Sequence, residues 1–160
     1  MCNAAFFEKM KQGAFFVNTS QGDIVVENDL IDAIPRLGPV IIDAWSHEPA
    51  INTRLMNLVD IATPHIAGYS LQGKQIGSSM AVRAVARFMS IRELYDFFPT
   101  TDNMEYQAVK IDVLDKSQGQ IAAIMQYNYP IFTDDFMFRM NPTKFEELRS
   151  NYSYRREFYL

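Results

Sequence analysis

Three short stretches of this chain hold most of the side chains that could do chemistry. Residues 18–22 offer Thr19, Ser20 and Gln21, residues 43–49 offer Asp43 and Glu48, and residues 63–69 offer His65 and Tyr69. A histidine paired with a carboxylate is a general acid/base unit. The carboxylate favours the protonated ring, which can take the proton of an alcohol as hydride leaves the carbon and return it in the reverse direction. Each residue also has a plainer reading. An isolated histidine is more often structural, a glutamate after a strand is usually solvated, and an aspartate at a strand end is often a cap. What favours chemistry here is that the three stretches converge.

The convergence follows from the elements that precede them. Residues 14–18 and 40–43 are apolar runs without alternation, as expected of short strands buried on both faces. Residues 59–63 read as a third short strand, stopped by Pro64. Between and before them lie helical patterns. Residues 4–12 place Phe6, Phe7 and Met10 on one side before Gly13, residues 27–34 are closed by Pro35 and Gly38, and residues 52–58 suit a helical turn. Short strands alternating with helices predict an α/β fold with a parallel sheet and helical crossovers. In such a sheet the loops after the strands share one edge, where ligands bind.

Further along, residues 70–90 predict a long helix. Ile76, Met80, Ala84 and Phe88 recur at spacing four, and Val82, Val85 and Met89 widen the stripe. After Ile91 the composition changes. Residues 99–103 read as a linker and residues 106–113 as a half-exposed strand. Residues 117–128 read as a helix in which Ser117 and Gln120 have capping-box spacing. Residues 133–140 suit another stretch of helix. Asn141-Pro142 reads as a helix entry leading into residues 144–151, and residues 155–160 suit a closing strand. The expected organisation is a partial Rossmann-type sheet with helices over residues 1–92, then a small α+β domain over residues 93–160.

Composition narrows the function classes. The chain has 160 residues, 48% hydrophobic and 21% charged, a globular balance. A net charge of −4 with no Lys/Arg cluster argues against nucleic acid or an anionic membrane as partner. The one cysteine, Cys2, precludes an internal disulfide and suits a reducing cytoplasm. No apolar run reaches membrane-spanning length, and the first dozen residues do not resemble a signal peptide.

Three quoted segments carry a family resemblance. Phe16-Val17-Asn18-Thr19-Ser20-x-Gly22, Asp43-x-Trp45-x-x-Glu48-Pro49 and Thr63-Pro64-His65-Ile66-Ala67-Gly68 are similar, in order and spacing, to the signature of the D-2-hydroxyacid dehydrogenases. The extension Gly68-Tyr69-Ser70-Leu71-x-Gly73-Lys74 resembles the branch whose substrate is 4-phospho-D-erythronate. Phe145-x-x-Leu148-Arg149-x-Asn151-Tyr152-x-x-Arg155-Arg156-Glu157 resembles that branch's carboxy-terminal dimerisation domain. The resemblance implies His65 as acid/base with Glu48 as its partner. It also implies Thr19, Ser20, Gln21, Asp43 and Gly68 at an NAD cofactor, with Asp43 accepting from the nicotinamide carboxamide, and Tyr69 at the substrate. The implied reaction oxidises the 2-hydroxyl to give 2-oxo-3-hydroxy-4-phosphobutanoate, a step toward pyridoxal phosphate, in a homodimer and without a metal. Lys74, Arg155 and Arg156 read either as phosphate ligands or as ordinary surface cations.

Two departures from the pattern matter. The family has an arginine at the position of Gln21, where it grips the substrate carboxylate. Glutamine brings no charge, and losing a hydrogen bond to a charged group, roughly 1.5–3 kcal/mol, costs on the order of 10- to 100-fold. The chain also contains no G-x-G-x-x-G fingerprint to cradle a pyrophosphate. It therefore reads as the carboxy-terminal portion of such an enzyme, with impaired activity. Half of a doubly wound sheet would leave an open edge and an uncovered apolar face. The alternatives are a non-catalytic homodimerisation module and a dehydrogenase for another 2-hydroxy acid.

Overall fold

The computed structural model describes residues 1–99 and 109–159. The chain forms two compact units. Residues 1–67 and 130–152 make the first, and residues 68–129 and 153–160 the second. The compact units and the composition shift at Ile91 thus divide the chain differently, because residues 130–152 return to the first unit.

The first unit is α/β, built on a three-stranded parallel sheet in the order β1-β2-β3. Its strands are β1 (Phe16–Asn18), β2 (Val40–Ile42) and β3 (Ile61–Ala62), linked through α2 (Glu27–Ala33) and α3 (Thr53–Leu58). In the register, Phe16 pairs with Val40, and Ile42 with both Asn18 and Ala62. The central strand is the most deeply placed, with Val40 1% and Ile42 2% exposed.

The expectation that residues 14–18 are buried on both faces fails. Phe16 is buried and meets Phe7 edge to face at 5.2 Å, whereas Phe15 and Val17 are 69% and 53% exposed. A strand alternates its side chains between two faces, and β1 buries only the one lined by Phe16 and Asn18. The first helix is also shorter than its apolar spacing suggests. α1 spans Ala4–Glu8, capped by the Asn3 side chain, and buries Phe7 but not Phe6. Gly13, at φ 74°, lies beyond it in a turn.

The β3 edge is engaged by α6 (Ile131–Met140). The amide of Ala62 donates to Asp135 at 2.6 Å. Arg139 pairs with Asp135 and donates to the carbonyls of Met56 and Val59, so a guanidinium caps the exposed carbonyl end of α3. Phe138, fully buried, packs against Trp45 at 5.9 Å and against Phe145 of α7 (Phe145–Ser150) at 5.7 Å. Asn141 and Pro142 open a helical turn as expected, but the Asn141 side chain does not cap it. Its amide turns back to donate to Met137, closing α6, and a 3-10 turn over Pro142–Lys144 leads into α7.

In the second unit, α4 (Leu71–Phe88) is capped by Ser70, and α5 (Gln118–Asn128) forms the expected Ser117/Gln120 capping box. The strands β4 (Val109–Lys110) and β5 (Phe158–Tyr159) pair in parallel. The apolar stripe of α4 is not a core face. Met80, Val85, Phe88 and Met89 are 56–91% exposed, while Ser79 and Ala86 are buried. Most of the expected linker and the start of the expected strand at 106–113 lie outside the described residues. Among the described residues, no helix is long and apolar enough to cross a membrane.

Candidate active site

The carboxyl ends of β1, β2 and β3 all belong to the first unit, and hydrogen bonds tie their loops together. Asn18 ends β1 and is 3% exposed. Its side-chain amide donates to the carbonyls of Gln21 at 3.0 Å and Ala44 at 3.1 Å, and its oxygen accepts the Ser20 amide at 3.2 Å. Gly22 completes the join. A Cβ there would stand 1.9 Å from the carbonyl carbon of Trp45, so only glycine lets the two loops lie this close. The result leaves Thr19, Ser20 and Gln21 exposed at the sheet edge.

Asp43 directly follows β2 and organises the third loop. It is 2% exposed. One carboxylate oxygen accepts the Thr63 hydroxyl at 2.6 Å and the Ile66 amide at 2.7 Å, and the other accepts the Ala67 amide at 3.0 Å. The His65 amide donates to the Asp43 carbonyl at 2.8 Å, and the Trp45 indole donates to the Thr63 carbonyl at 2.8 Å. These anchors hold His65 in the left-handed region, at φ 57°. That conformation costs a non-glycine residue roughly 1–3 kcal/mol and persists only where surroundings over-determine it. Charge-assisted bonds to a buried carboxylate are strong enough to do so.

The left-handed turn brings His65 to Glu48. The ring Nδ1 lies 2.9 Å and 3.0 Å from the two carboxylate oxygens. Glu48 is fixed in turn by the Trp45 amide, which donates to Oε1 at 2.8 Å. A carboxylate can only accept, so the neutral ring carries its proton on Nδ1 and its lone pair on Nε2. Both side chains are about one-fifth exposed, 22% and 19%, so the pair is shielded yet reachable. This arrangement can accept and return one proton at Nε2.

Thus Thr19, Ser20, Gln21, Asp43, Glu48 and His65 share the first unit, while Gly68 and Tyr69 belong to the second. There the Tyr69 ring lies 5.8 Å from that of Tyr154, beneath the Lys74 ammonium at 4.3 Å. Arg155 sits over the Tyr129 ring at 4.4 Å, and with Arg156 it lines a small cavity of about 220 Å³. One neighbour of the catalytic-type pair was hidden in the sequence. Arg149 of α7 places Nη1 3.9 Å from Glu48 Oε2, and its Nε is buried without a hydrogen-bond partner. Its only sequence signal is membership of the tail motif. Asn18, Trp45 and Thr63 are likewise quoted in the motifs but gain their roles only through loop geometry.

Comparison with known proteins finds relatives along nearly the whole chain. Residues 1–67 match the family described as D-isomer specific 2-hydroxyacid dehydrogenase, NAD binding domain. The chain is 33% identical, over 98% of its length, to an erythronate-4-phosphate dehydrogenase of Bacteroides thetaiotaomicron, and covers 43% of it. It is 35% identical, over 95% of its length, to one of Bacteroides fragilis, covering 42% of it. It is 33% identical, over 99% of its length, to one of Teredinibacter turnerae, covering 44% of it. The chain therefore spans less than half the length of these relatives. Over residues 1–67 the chain is thus similar to the NAD-binding domain of the D-isomer specific 2-hydroxyacid dehydrogenases.

Proposed function

We propose that this chain supplies the acid/base half of an NAD-dependent dehydrogenase that oxidises the 2-hydroxyl of 4-phospho-D-erythronate. The observation that carries the proposal is the short Nδ1 contact between His65 and Glu48 at the carboxyl edge of the sheet. In this reading His65 Nε2 takes the hydroxyl proton, and Glu48 holds the ring in place and stabilises the imidazolium that forms. NAD, when bound, accepts the hydride from the same carbon, leaving a 2-oxo acid. The reverse direction returns the proton from Nε2 to the carbonyl oxygen.

The residues present fit only one end of that cofactor. Exposed Thr19 and Ser20 are the groups of the first unit that would line its nicotinamide end, and Gly68 is a further cofactor-binding candidate. Asp43 already accepts three donors. A carboxylate has about four acceptor positions, so one is left for a carboxamide. The chain has no G-x-G-x-x-G loop for the pyrophosphate. Tyr69 would contact substrate, and Gln21 would face its carboxylate without charge. By itself the chain is accordingly proposed to bind NAD weakly and to show no turnover. Functionally, residues 1–92 would carry the cofactor-binding part and residues 93–160 a dimerising part. The parent enzyme would work in the cytoplasm, in vitamin B6 synthesis.

A chimera tests this. The remaining length of the Bacteroides thetaiotaomicron relative, joined ahead of this chain, should reduce NAD with 4-phospho-D-erythronate. The His65→Gln chimera should lose about 10²–10⁴-fold in turnover, the usual contribution of a general acid/base. Undiminished turnover in that variant would sink the assignment.

A second reading, a homodimerisation module, is favoured by the exposed stripe on α4, where Phe88 is 91% exposed. Exposed apolar patches of this kind mark interaction surfaces. Sedimentation equilibrium at micromolar concentration should give a dimer, and a monomer there would remove this reading.

A further inference from the structure

We infer that Arg149 is the anion-gripping residue of this site, binding the carboxylate of the 2-hydroxy acid in place of the arginine that Gln21 replaces. The inference rests on the acid/base reading of His65 and adds the group that orients its substrate.

Arg149 is delivered by a well-anchored helix. Phe145, one turn earlier, is 1% exposed, and Leu148 packs against the same core. Both belong to the first unit, as do Glu48 and His65. The side chain reaches the pair without binding it tightly. Its Nη1 stands 3.9 Å from Glu48 Oε2, beyond hydrogen-bond distance. The Glu48 oxygens are meanwhile taken by the Trp45 amide and the His65 ring. Nε is buried with no partner. A buried unsatisfied donor costs roughly 1–3 kcal/mol and calls for an explanation. The side chain is still 38% exposed, so part of it faces solvent.

The other guanidiniums that this unit holds inward are committed. Arg36 donates to the carbonyls of Phe7 and Met10, and Arg139 to Asp135, Met56 and Val59. Arg149 alone among these three has a guanidinium nitrogen without a partner, its buried Nε, and its Nη1 stands beside Glu48 outside hydrogen-bond distance. A planar guanidinium matches a carboxylate with two parallel bonds. Charge argues the same way. A 2-hydroxy acid brings a carboxylate to a site that already holds the Glu48 charge, and the Arg149 cation near Glu48 offsets the repulsion. The neutral amide of Gln21 cannot.

The test uses the chain as it is, with D-glycerate as a 2-hydroxy acid probe and propionate as its counterpart without the hydroxyl. Binding is followed by NMR titration of the Arg149 side chain and the His65 ring. Both probes should perturb Arg149. Arg149→Gln should weaken both by at least about tenfold, the loss of one charged hydrogen bond, and Arg149→Lys should recover part of it. Unaltered affinity in Arg149→Gln overturns the inference, as does absence of any perturbation at Arg149 in the parent chain. If the two probes bind equally and glycerate leaves His65 unmoved, the carboxylate grip stands and the 2-hydroxy acid reading fails. If Arg149→Gln lowers urea resistance while carboxylate affinity is kept, Arg149 serves only as a partner for Glu48, and the inference fails.

Discussion

Replacing Asp43 by asparagine distinguishes a carboxylate that builds the site from one that only waits for a cofactor. The side chain is 2% exposed and accepts the Thr63 hydroxyl and the amides of Ile66 and Ala67 at 2.6–3.0 Å. Asparagine keeps the shape but offers one acceptor oxygen. That oxygen can still take two donors, while the amide nitrogen faces the third as donor against donor. One charge-assisted bond is lost, about 1.5–3 kcal/mol, and the other two lose their charge assistance, about half their strength. The sum is about 3–6 kcal/mol, a large share of the roughly 5–15 kcal/mol that keeps a domain folded. Trp45 is the chain's one tryptophan, is 3% exposed and is bonded to Thr63, so its fluorescence reports on this unit. Urea unfolding followed by that signal should show the midpoint fall with an unchanged slope. Thr63→Val should cost about 1–2 kcal/mol and couple to Asp43→Asn by about 1 kcal/mol in a double-mutant cycle. A ligand-free Asp43→Asn chain within about 0.5 kcal/mol of the parent would refute the reasoning.

Gly22→Ala drives a Cβ to 1.9 Å from the Trp45 backbone and should destabilise the first unit by about 3 kcal/mol or more, visible as a lowered urea midpoint. Arg139→Met removes the donors to Met56 and Val59 and strands Asp135, and should cost about 3–5 kcal/mol in the same assay. Asp112 in the second unit is held below the ordinary aspartate value, first by the Leu114 amide and then by Lys116. Its contribution to stability is therefore present above that ordinary value and is lost as pH falls through the lower folded one. An NMR titration should find its midpoint below that of a free aspartate, and Lys116→Gln should move it up.

Much of this arrangement is legible in the sequence. Short apolar runs alternating with helices named the parallel sheet, and the rule that ligands bind at the carboxyl ends of strands brought Asp43, Glu48 and His65 together. Ser117 and Gln120 formed their capping box because both partners are local. The failures lie where distant packing decides. Residues 14–18 look doubly buried because Phe15 and Val17 are apolar, and only the tertiary fold leaves one face open. The stripe on α4 has helical spacing, but spacing cannot say which face a neighbour covers. Arg149 could not be placed because it arrives from a segment that returns to the first unit only after residues 68–129 of the second unit. Asp43 could be placed, but its three loop donors come from residues 20 to 24 positions away.

The central claim is that Glu48 fixes the His65 ring so that Nε2 is the proton-accepting atom. Long-range ¹H–¹⁵N NMR of the histidine rings, at a pH where His65 is neutral, reads this directly. The account predicts a proton on Nδ1 and a bare Nε2 in the parent chain, and a mixture of tautomers in Glu48→Ala. A parent chain with the proton on Nε2, or a tautomer indifferent to loss of the Glu48 carboxylate, would contradict it.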